Sequence, residues 1–285
     1  MEFMRLGPLG HERPVVRQGD TVHDMSSLTN DIDGIFFDDG GIGRTRTALA
    51  DGSLPVISGW ENERVGAPVA RPGAVICVGQ NYAAHVAECG LSTPEHPVVF
   101  LKHPNTVVGP YDDVAIPRGC THTDWEVELT VVIGRRAQYV DSPEEAQQYI
   151  AGYTISNDVS ERDLQNNRSG GQWTKGKTAA TFCPVGPVLV PADEIDPQVL
   201  DIRSFVNGEP RQDSNTKDMI FKAAWLVSDL SQYMILEPGD IVLTGTPGGV
   251  ALGGRFPYLQ EGDVVELEIE KLGRQRQQLV AWDKA

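Results

Sequence analysis

The 285-residue sequence contains no run of about 20 apolar residues, the length that a helix needs to cross a bilayer. Its four cysteines, Cys77, Cys89, Cys120 and Cys183, show no C-x-x-C spacing, so they do not indicate a zinc site or a redox pair. The first ten residues also lack the basic and then apolar order of a signal peptide. We therefore expect a cytoplasmic protein that has no membrane partner and whose cysteines are small apolar side chains.

Positive charge is scarce, because 24 Lys and Arg residues stand against 40 Asp and Glu residues, and the formal net charge is -16. Proteins that bind nucleic acids usually carry a basic surface, so we expect no nucleic-acid partner. A small anionic substrate is compatible with this charge, since a bound cation and a few local bases can make one pocket positive.

The sequence lacks two motifs, the G-x-S-x-G nucleophile elbow and the Rossmann glycine pattern for nucleotide binding. Residues 171–178 do match the P-loop pattern G-x-x-x-x-G-K-[ST], which has meaning only between a strand and a helix. The segment before it is polar, and Pro184 and Pro187 after it exclude a helix of useful length. We therefore disfavour a P-loop and interpret Lys177 as a cation for an anionic substrate or as a solvated loop lysine.

Eight segments are rich in β-branched residues and are bounded by Gly, Pro, Asn or Asp, which predicts strands. They are residues 74–79, 97–102, 126–134, 151–158, 184–190, 200–208, 239–245 and 263–273. Ser142 and Glu145 form a candidate capping box at the start of one helix. Residues 217–233 repeat apolar side chains at helical spacing, and residues 81–89 predict a short helix closed by Gly90. The predicted fold class is mostly β (α+β) with a few packed helices.

The chain is predicted to contain two domains. Residues 1–65 have the short strands and the Gly-Asp turn of a small β-rich domain, and residues 66–285 hold the remaining strand segments. Residues 62–73 are interpreted as the linker between them. Met4 is a candidate start of translation, in which case Met1–Phe3 would not belong to the natural chain.

Glu126 and Glu128 lie two residues apart in a predicted strand, so their side chains point to the same face. That face is either solvated or buried around a cation. The C-terminal segment VVELEIEKL offers a contrast, because its glutamates alternate with apolar residues as in a strand with one wet face. The first pair instead precedes the continuous apolar run 131–133, which indicates burial on both faces. Two buried glutamates repel each other and need a partner.

Asp158 is the next carboxylate along the chain, at the point where a predicted strand runs into a loop. Together with Glu126 and Glu128 it would offer three hard oxygen ligands, which suit Mg²⁺, Mn²⁺ or Ca²⁺. No cluster of His and Cys indicates a softer metal. The alternative role of Asp158 is that of a turn former.

His85 and Glu88 occupy positions i and i+3 of a predicted helix and are therefore neighbours. Glu88 would orient the imidazole and raise its basicity, which makes His85 a candidate general base for water. The alternative is an exposed ion pair on a surface helix. Further along, Thr244, Thr246 and the backbone N–H groups of LTGTPGGV are suited to hold a carboxylate, or form a plain tight turn.

Six segments follow one another in an order that resembles the fumarylacetoacetate hydrolase family. They are VGQNYAAHVAE, FLKHP, DWEVELTVVIG, GYTISNDVSERDLQ, QWTKGKTAATFCPVGP and LTGTPGGV. The resemblance covers residues 74 to 283 and is strongest to the bacterial branch that includes fumarylpyruvate and acylpyruvate hydrolases and diketo-deoxyfuconate hydrolase. It implies a catalytic domain built as a twisted β-sandwich or roll, a variable small N-terminal domain and a homodimer.

The resemblance also implies roles for single residues. Glu126, Glu128 and Asp158 match the family's ligands for Mg²⁺ or Mn²⁺, and His85 with Glu88 matches a water-activating dyad on a mobile lid. The remaining matches are Lys177 near the substrate oxyanion, and Tyr82, Arg162, Gln165 and Thr246 in the substrate pocket.

The implied function is that of a divalent-metal-dependent hydrolase that cleaves a C–C bond in a β-diketo acid, either an acylpyruvate or a sugar-derived diketo acid. A small anionic keto acid would be the partner, and water activated by His85 and Glu88 would attack a metal-polarised carbonyl. The alternative on the same scaffold is an oxaloacetate decarboxylase or a 2-hydroxy-dienedioate isomerase or decarboxylase, which needs no attacking water. A P-loop module and a binding protein without catalysis are the remaining alternatives.

Overall fold

A computed structural model describes residues 1–284, and the chain begins with an antiparallel five-stranded sheet. Its strands are β1 (Glu2–Leu6), β2 (Arg13–Gln18), β3 (Thr21–Asp24), β4 (Val56–Ile57) and β5 (Val65–Gly66), in the order β4-β3-β2-β1-β5. Two helices, α1 (Gly34–Asp38) and α2 (Gly41–Ala50), lie between β3 and β4 and are absent from the sequence prediction. Phe3 is buried and pairs with Leu189 through backbone hydrogen bonds, so the first three residues contribute to the fold.

The predicted domain boundary between residues 65 and 66 falls inside β5. One buried apolar cluster joins side chains from both sides of that boundary, among them Phe3, Val16, Phe36, Val75, Val132 and Leu243. The division into two domains stays a prediction.

The rest of the described chain contains further strands and short helices. The strands are β6 (Val75–Gly79), β7 (Val98–Lys102), β8 (Val107–Val108), β9 (Val114–Ile116), β10 (Thr123–Asp124), β11 (Val127–Ile133), β12 (Ile150–Asn157), β13 (Ser160–Glu161), β14 (Cys183–Pro184), β15 (Val190–Pro191), β16 (Asp201–Val206), β17 (Glu209–Asn215), β18 (Ile241–Leu243), β19 (Val264–Ile269) and β20 (Gly273–Ala281). The helices are α3 (Ala83–Glu88), α4 (Pro143–Ala146), α5 (Trp173–Lys177) and α6 (Ala223–Leu230), with a π-helical turn at Leu164–Arg168.

Two sheets of this region pack face to face. One has six strands in the order β15-β12-β11-β18-β6-β7, in which only β18 and β6 run parallel. The other has five strands in the order β17-β16-β19-β20-β9. β11 and β12 contact β16, β19 and β20, and apolar residues from both sheets, such as Leu129, Ile155 and Leu267, share one buried cluster. The prediction of a mostly β fold is confirmed.

Burial of the central strands explains the contrast between the Glu126–Glu128 pair and the glutamates of VVELEIEKL. Every residue of β11 and of β12 is buried, because these strands lie inside the six-stranded sheet and are covered on both faces. In β19, buried and partly exposed residues alternate strictly. Glu266 and Glu268 lie on its partly exposed face and pair with Arg274, so the wet face predicted for this strand is confirmed.

Two predicted helices are present in the structure as α3 and α4. In α3, the chain leaves the helix through Gly90 at φ +69°, as the C-terminal glycine predicts. At α4, the Ser142 side chain accepts a hydrogen bond from the Glu145 backbone N–H at 3.2 Å, which confirms the N-cap. The Glu145 carboxylate accepts from the N–H of Asp141 instead of that of Ser142, so the predicted box is displaced by one residue. Within residues 1–284, no helix is long and apolar enough to cross a membrane.

The predicted helix 217–233 is wrong at its start, since α6 begins only at Ala223. The residues before Ala223 make non-helical contacts. Met219 pairs with Tyr82, and the Phe221 N–H donates to the Asn81 side chain at 2.7 Å. The predicted strand 184–190 is interrupted, because the segment forms only the short strands β14 and β15 at its ends and single bridges from Val185 to Ser156 and from Leu189 to Phe3.

Candidate active site

The strand register brings the three predicted carboxylates together. β11 and β12 run antiparallel with Val127 opposite Asn157, so the start of one strand lies beside the end of the other. Glu126 precedes β11, Asp158 follows β12, and the Asp158 N–H donates to the Glu126 carbonyl at 3.0 Å. One carboxylate oxygen each of Glu126, Glu128 and Asp158 lies within 4.8 Å of the other two. These residues are only 5%, 2% and 0% exposed, so the solvated-face interpretation is wrong for this pair.

Buried cations surround this carboxylate trio. The Lys177 ammonium donates to Glu126 Oε2 at 2.6 Å and to Asp158 Oδ2 at 2.7 Å. Lys102 donates to the other oxygen of Asp158 at 2.6 Å, and Arg162 donates to Glu126 Oε1 at 2.7 Å. Lys177 is 2% exposed, so it is not a solvated loop lysine. Its ammonium faces carboxylates, which is incompatible with a phosphate-binding P-loop lysine.

Among residues 1–284, Glu128 differs from its two neighbours because no side-chain cation binds it, and its Oε2 accepts only the backbone N–H of Gly245, at 2.7 Å. Burial, reinforced by the charges of Asp158 and Glu126, raises the pKa of Glu128 well above its usual range. Burial acts in the same direction on Glu126, but the charges of Lys177 and Arg162 outweigh it and hold the pKa of Glu126 below its usual range.

Gly245 makes the contact to Glu128 sterically feasible. Its φ of +95° is a conformation that residues with a side chain rarely adopt. A Cβ at this position would also lie 2.7 Å from the Cβ of Asn81. The turn after β18 therefore needs glycine to present its N–H to the carboxylate.

The charge balance of the buried cluster fits a divalent cation. Its charged members are Asp124, Glu126, Glu128, Asp158, Lys102, Arg162 and Lys177. The four carboxylates outnumber the two lysines and Arg162 by one, and the raised pKa of Glu128 favours a proton on that carboxyl in the metal-free protein, which a cation could replace. Each ionised carboxylate oxygen keeps a second lone pair beside its lysine or arginine, so all three acids can still coordinate. Hard oxygen ligands of this kind suit Mg²⁺, Mn²⁺ or Ca²⁺.

The predicted dyad lies on α3. His85 is buried, and its Nδ1 lies 3.7 Å from Glu88 Oε2 and 3.9 Å from Cys89 Sγ. Burial alone would lower the pKa of His85, but the contacts with Cys89 and Glu88 and the charge of Glu126 raise it to about 9. The exposed ion pair considered as an alternative is therefore wrong. Glu88 Oε2 also accepts the Gly249 N–H at 2.9 Å, which ties α3 to the loop after β18.

A cavity of about 280 Å³ is lined by both the carboxylate pair and the imidazole. The predicted site residues in its wall are His85, Glu126, Glu128, Arg162, Gln165, Lys177 and Thr246. Asp158 lies behind this wall, fully buried and bonded to both lysines. Glu88 is not part of the wall and reaches the cavity only through His85.

Arg162 and Gln165 are held as one unit. The Arg162 guanidinium donates to Asp124 at 2.8 Å and to Gln165 Oε1 at 3.0 Å, in addition to its bond to Glu126. All three of its nitrogens are thereby engaged, whereas the Gln165 Nε2 remains available to a ligand. A Cβ at Gly176 would lie 2.5 Å from the Gln165 backbone nitrogen, so α5 approaches the π-helical turn as closely as a glycine permits.

The threonines after β18 bind protein groups. The Thr244 hydroxyl donates to the Leu129 carbonyl at 2.8 Å, and the Thr246 hydroxyl donates to the Val127 carbonyl at 2.9 Å. Thr246 also accepts from the Gln212 amide at 2.7 Å. Both hydroxyl protons are thus engaged by backbone carbonyls, and the contact of Thr246 with a substrate carboxylate stays a prediction. The Thr246 N–H has no acceptor within residues 1–284 and stays a candidate donor.

Tyr82 does not line the cavity, although the resemblance places it in the substrate pocket. It is 1% exposed, and its hydroxyl has no hydrogen-bond partner within residues 1–284. Burial and the charge of Glu128 raise its pKa. The substrate-binding role of Tyr82 stays a prediction.

Sequence analysis does not single out several residues that build the site. Lys102 is the clearest case, because β7 points it to the same side as buried Phe100, and a lysine in that register is a signal of an internal ion pair. Asp124 accepts backbone N–H groups of Ala251 and Leu252 besides Arg162. The sequence around Asp124 contains no pattern that predicts these contacts.

The fold and the site define a mostly β enzyme scaffold with a carboxylate-lined pocket. Residues 74–280, well over half of the chain, match the family described as fumarylacetoacetate (FAA) hydrolase C-terminal, and the chain belongs to the fumarylacetoacetate hydrolase family. A relative in this family is the 2,4-didehydro-3-deoxy-L-rhamnonate hydrolase of Sphingomonas sp. (strain SKA58). It is 44% identical over 292 residues, which cover 99% of this chain and 97% of that protein.

Solved structures share the whole fold. The maleylpyruvate hydrolase from Sphingobium sp. SYK-6, in complex with manganese(II) ion and pyruvate, superposes with a TM-score of 0.81 at 28% identity and 99% coverage of both chains. A 2-hydroxyhepta-2,4-diene-1,7-dioate isomerase from Mycobacterium marinum gives a TM-score of 0.77 at 33% identity and 100% coverage of both chains. The predicted family-type fold is confirmed, the hydrolase names support an enzyme, and the manganese complex supports divalent-metal binding.

Proposed function

We propose that the protein is a divalent-metal-dependent hydrolase that cleaves a C–C bond in a β-diketo acid, either an acylpyruvate or a sugar-derived diketo acid. The observation that carries this proposal is the buried trio Glu126, Glu128 and Asp158, whose oxygens converge within 4.8 Å beside the cavity. The named activity of the Sphingomonas relative and the manganese and pyruvate in the maleylpyruvate hydrolase support it.

Charge also supports the proposal. With Glu128 ionised and His85 neutral, the carboxylates, lysines and Arg162 of the buried cluster sum to one negative charge, so a divalent cation that displaces the Glu128 proton would turn that sum to one positive charge. A substrate with one carboxylate would then neutralise the site. Mg²⁺ and Mn²⁺ are the proposed cofactors, with Ca²⁺ as a third hard cation that oxygen ligands accept.

The bound cation would supply Lewis-acid polarisation of the substrate carbonyl. Residues of the chain would perform the other tasks. Gln165 Nε2 and the Thr246 N–H would bind the substrate carboxylate, since both are donors without a protein acceptor in residues 1–284. Lys177 would stabilise the negative charge that develops on the enolate oxygen.

In the proposed reaction, His85 accepts a proton from water while the oxygen of that water adds to the C4 carbonyl. The C3–C4 bond then breaks, and its electron pair stays on C3 as the enolate of pyruvate. The other fragment leaves as a carboxylic acid, and the proton on His85 returns to C3. One water is consumed, and no oxidant or reductant is required.

His85 must be neutral to accept that proton. Its pKa of about 9 arises partly from the charge of Glu126, and a cation at the trio would offset that charge. We therefore propose that metal binding lowers the pKa of His85 and so prepares the base. Glu88 would hold the ring through Nδ1 and is itself held by the Gly249 N–H.

The test is cleavage of an acylpyruvate in the presence of Mg²⁺ or Mn²⁺, followed by release of pyruvate. His85→Gln should lower kcat by roughly 10²–10⁴-fold while the metal-induced rise in Tm is retained. Glu128→Gln should abolish both the activity and the rise in Tm. Glu268→Gln on the wet face of β19 is the matched control and should change neither. Activity that persists after complete chelation, or in His85→Gln, contradicts the proposal.

The second candidate is an isomerase or decarboxylase that uses the same pocket without an attacking water, and the similar Mycobacterium marinum isomerase favours it. The requirement for His85 distinguishes this candidate from the hydrolase. Oxaloacetate decarboxylation or dienedioate isomerisation that survives in His85→Gln, with no acylpyruvate cleavage by the unaltered protein, would establish this candidate in place of the hydrolase.

We further propose a homodimer in a reducing compartment such as the cytoplasm. The edge strand β7 exposes Val99 and Leu101 at 39% and 48%, which leaves an apolar strip available to a second copy. All four cysteines are free thiols, as expected where disulfides do not form. Light scattering of the purified protein should return twice the mass of one chain, and a monomer mass contradicts the dimer.

A further inference from the structure

Both ends of the short helix α5 contact the ring of Phe100. Trp173 and Lys177 are the first and last residues of α5, so they lie four positions apart on one side of the helix. The Trp173 indole meets the Phe100 ring edge to face, with centroids 5.4 Å apart. The Lys177 ammonium lies over the same ring, 5.1 Å from its centroid. Phe100 is therefore a common support for the two side chains that α5 places in the cavity wall.

The Phe100 ring and the Trp173 indole have fixed places beside the cavity. Phe100 lies on β7, is 9% exposed and points into the protein, while its neighbours Val99 and Leu101 are exposed. The indole packs on the backbone of β6, because a Cβ at Gly79 would lie 2.4 Å from Cζ3 of Trp173. Since β6 and β7 are paired strands, both rings rest on one rigid support.

The face of an aromatic ring attracts a cation although the ring carries no net charge. The other partners of the Lys177 ammonium are carboxylate oxygens of Glu126 and Asp158, at 2.6 and 2.7 Å. A divalent cation at the carboxylate trio would share these oxygens and would repel the ammonium. Hard cations take oxygen ligands, so the ring would not be shared. Of these three partners, the ring is the one whose attraction for Lys177 stays undiminished when a cation binds.

The second buried lysine of the cluster has a similar but more distant ring. The Lys102 ammonium lies 5.8 Å from the centroid of buried Phe182. Favourable contacts of this kind reach to about 6 Å, so the ring of Phe182 is near that limit. Lys102 is also outside the cavity wall, whereas Lys177 and Phe100 both belong to it. The contact that bears on the reaction is therefore that of Phe100 with Lys177.

We propose that Phe100 is a positioning residue whose ring face keeps the Lys177 ammonium at the cavity when a divalent cation occupies the carboxylate trio. The catalytic consequence rests on the proposed function, in which Lys177 stabilises the enolate. Phe100 then acts through Lys177, so weakening its ring face should lower kcat and leave KM nearly unchanged.

The experiment weakens the ring face in steps and keeps the shape of the side chain. Phe100 is replaced by 4-fluoro-, 3,5-difluoro- and 3,4,5-trifluorophenylalanine, because each fluorine withdraws electron density from the face that attracts the ammonium. With Mg²⁺ and an acylpyruvate, we expect kcat to fall steadily along the series, by about 10-fold in total, while KM stays within about 2-fold. A kcat that does not change along the series overturns the inference.

Thermal unfolding tests the contact without the reaction. In the metal-free protein two carboxylates hold the ammonium, so fluorination should lower Tm only slightly. In the Mg²⁺-loaded protein the decline along the series should be at least about twice as large, because the ring then supplies more of the attraction. An equal decline in both states overturns the inference, whatever happens to kcat.

The two measurements distinguish failure of the inference from failure of the proposed function. If the unaltered protein cleaves no acylpyruvate but Mg²⁺ steepens the decline in Tm, the hydrolase proposal fails and the role of Phe100 beside Lys177 stands. If the unaltered protein cleaves an acylpyruvate and fluorination changes neither kcat nor the Tm difference, the hydrolase stands and the inference fails.

Phe36 offers a matched control for the fluorinated series. It is buried in the cluster shared with the N-terminal sheet, and its ring meets Phe3 and Phe37 edge to face at 5.5 and 5.3 Å. The same three analogues at this position should leave kcat unchanged and should shift Tm equally with and without Mg²⁺. A loss of kcat as large as that at Phe100 contradicts the inference.

An ordinary substitution gives a further test. Phe100→Leu removes the ring and keeps an apolar side chain, so it should lower kcat at least as far as the trifluorinated ring does. A Phe100→Leu protein with the kcat of the unaltered protein contradicts the inference.

Discussion

At the scale of single residues, the site depends on how each buried carboxylate is compensated. Asp158 has a lysine on each oxygen, Glu126 has a lysine and an arginine, and Glu128 has one backbone N–H. A buried charge without a partner is costly, and each oxygen of Asp158 and of Glu126 has a cation beside it. Glu128 is the member that has no side-chain cation within residues 1–284, and its raised pKa favours a proton that a metal ion would have to displace.

Lys102 is the residue whose removal best tests this arrangement. Lys102→Met leaves one oxygen of buried Asp158 without a partner, and we expect a loss of about 3–5 kcal/mol in the free energy of unfolding. Mg²⁺ should restore part of this loss, so the metal-induced rise in Tm should be larger in the variant than in the unaltered protein. Thermal unfolding with and without Mg²⁺ measures both effects.

Lys175→Met provides the control for this prediction, because Lys175 lies exposed two residues before Lys177 on the same helix. Its Tm should stay within about 1 °C of the unaltered protein, as surface substitutions rarely exceed ±0.5 kcal/mol. A Lys102→Met protein as stable as this control would show that the buried ion pair contributes nothing.

At the scale of elements, short segments position the site by close backbone approach. α5 carries Lys177 and packs against the π-helical turn that carries Gln165, and Gly176 lies at their contact. The helix is too short to be stable by itself, so this contact and the bonds of Lys177 hold it.

Gly176→Ala should therefore destabilise the protein. The added Cβ would lie 2.5 Å from a backbone nitrogen, and overpacking of this kind typically costs about 1–3 kcal/mol. Gly43→Ala is the matched control, because this exposed position in α2 has no atom within 4 Å of the new Cβ. Urea unfolding should show a loss for the first and a gain of up to about 1 kcal/mol for the second. Equal stability of the two variants contradicts the prediction.

The elements also show how far the sequence predicts this fold. The apolar run in β11 and the helix that ends at Gly90 follow from local patterns and are confirmed. β20 is not predicted, because its buried face carries Gln275 and Gln277 in place of apolar residues. Their amides bond to backbone carbonyls of distant segments, which only the tertiary structure supplies.

The candidate site, like the fold, follows only in part from local sequence patterns. The Glu126–Glu128 spacing and the i, i+3 pair of His85 and Glu88 are local patterns, and the structure brings Glu126, Glu128 and His85 to one cavity, with Glu88 beside His85. Two other contacts depend on strand order and register. They are the bond from Lys102 to Asp158 and the bond from the Thr246 hydroxyl to β11. Neither follows from spacing along the chain.

At the scale of the whole molecule, metal binding and pH should be linked. In the metal-free protein Glu128 and His85 both have raised pKa values, so both retain protons that a divalent cation would displace. For His85, the folded-state pKa of about 9 lies above the unfolded value of about 6.5. The stability that this group contributes is therefore complete below pH 6.5 and is lost as the pH rises through 9.

We accordingly expect the rise in Tm caused by a fixed Mg²⁺ concentration to be larger at pH 8.5 than at pH 6.0. The metal-free protein loses stability over this range, and protons compete less for the carboxylates. Calorimetry in buffers of different ionisation enthalpy should detect release of protons upon binding. A metal-induced Tm rise that is constant or that falls with pH contradicts this linkage.

The lysine bridge between Glu126 and Asp158 has a consequence for the maturation of the protein. Many metal sites are collections of like charges that hold together only once the ion has arrived, so that folding waits for the ion. Here Lys102 and Lys177 already balance most of the negative charge when the chain closes. Folding and metal loading can then be separate events, and an ion can be withdrawn and replaced without unfolding the polypeptide.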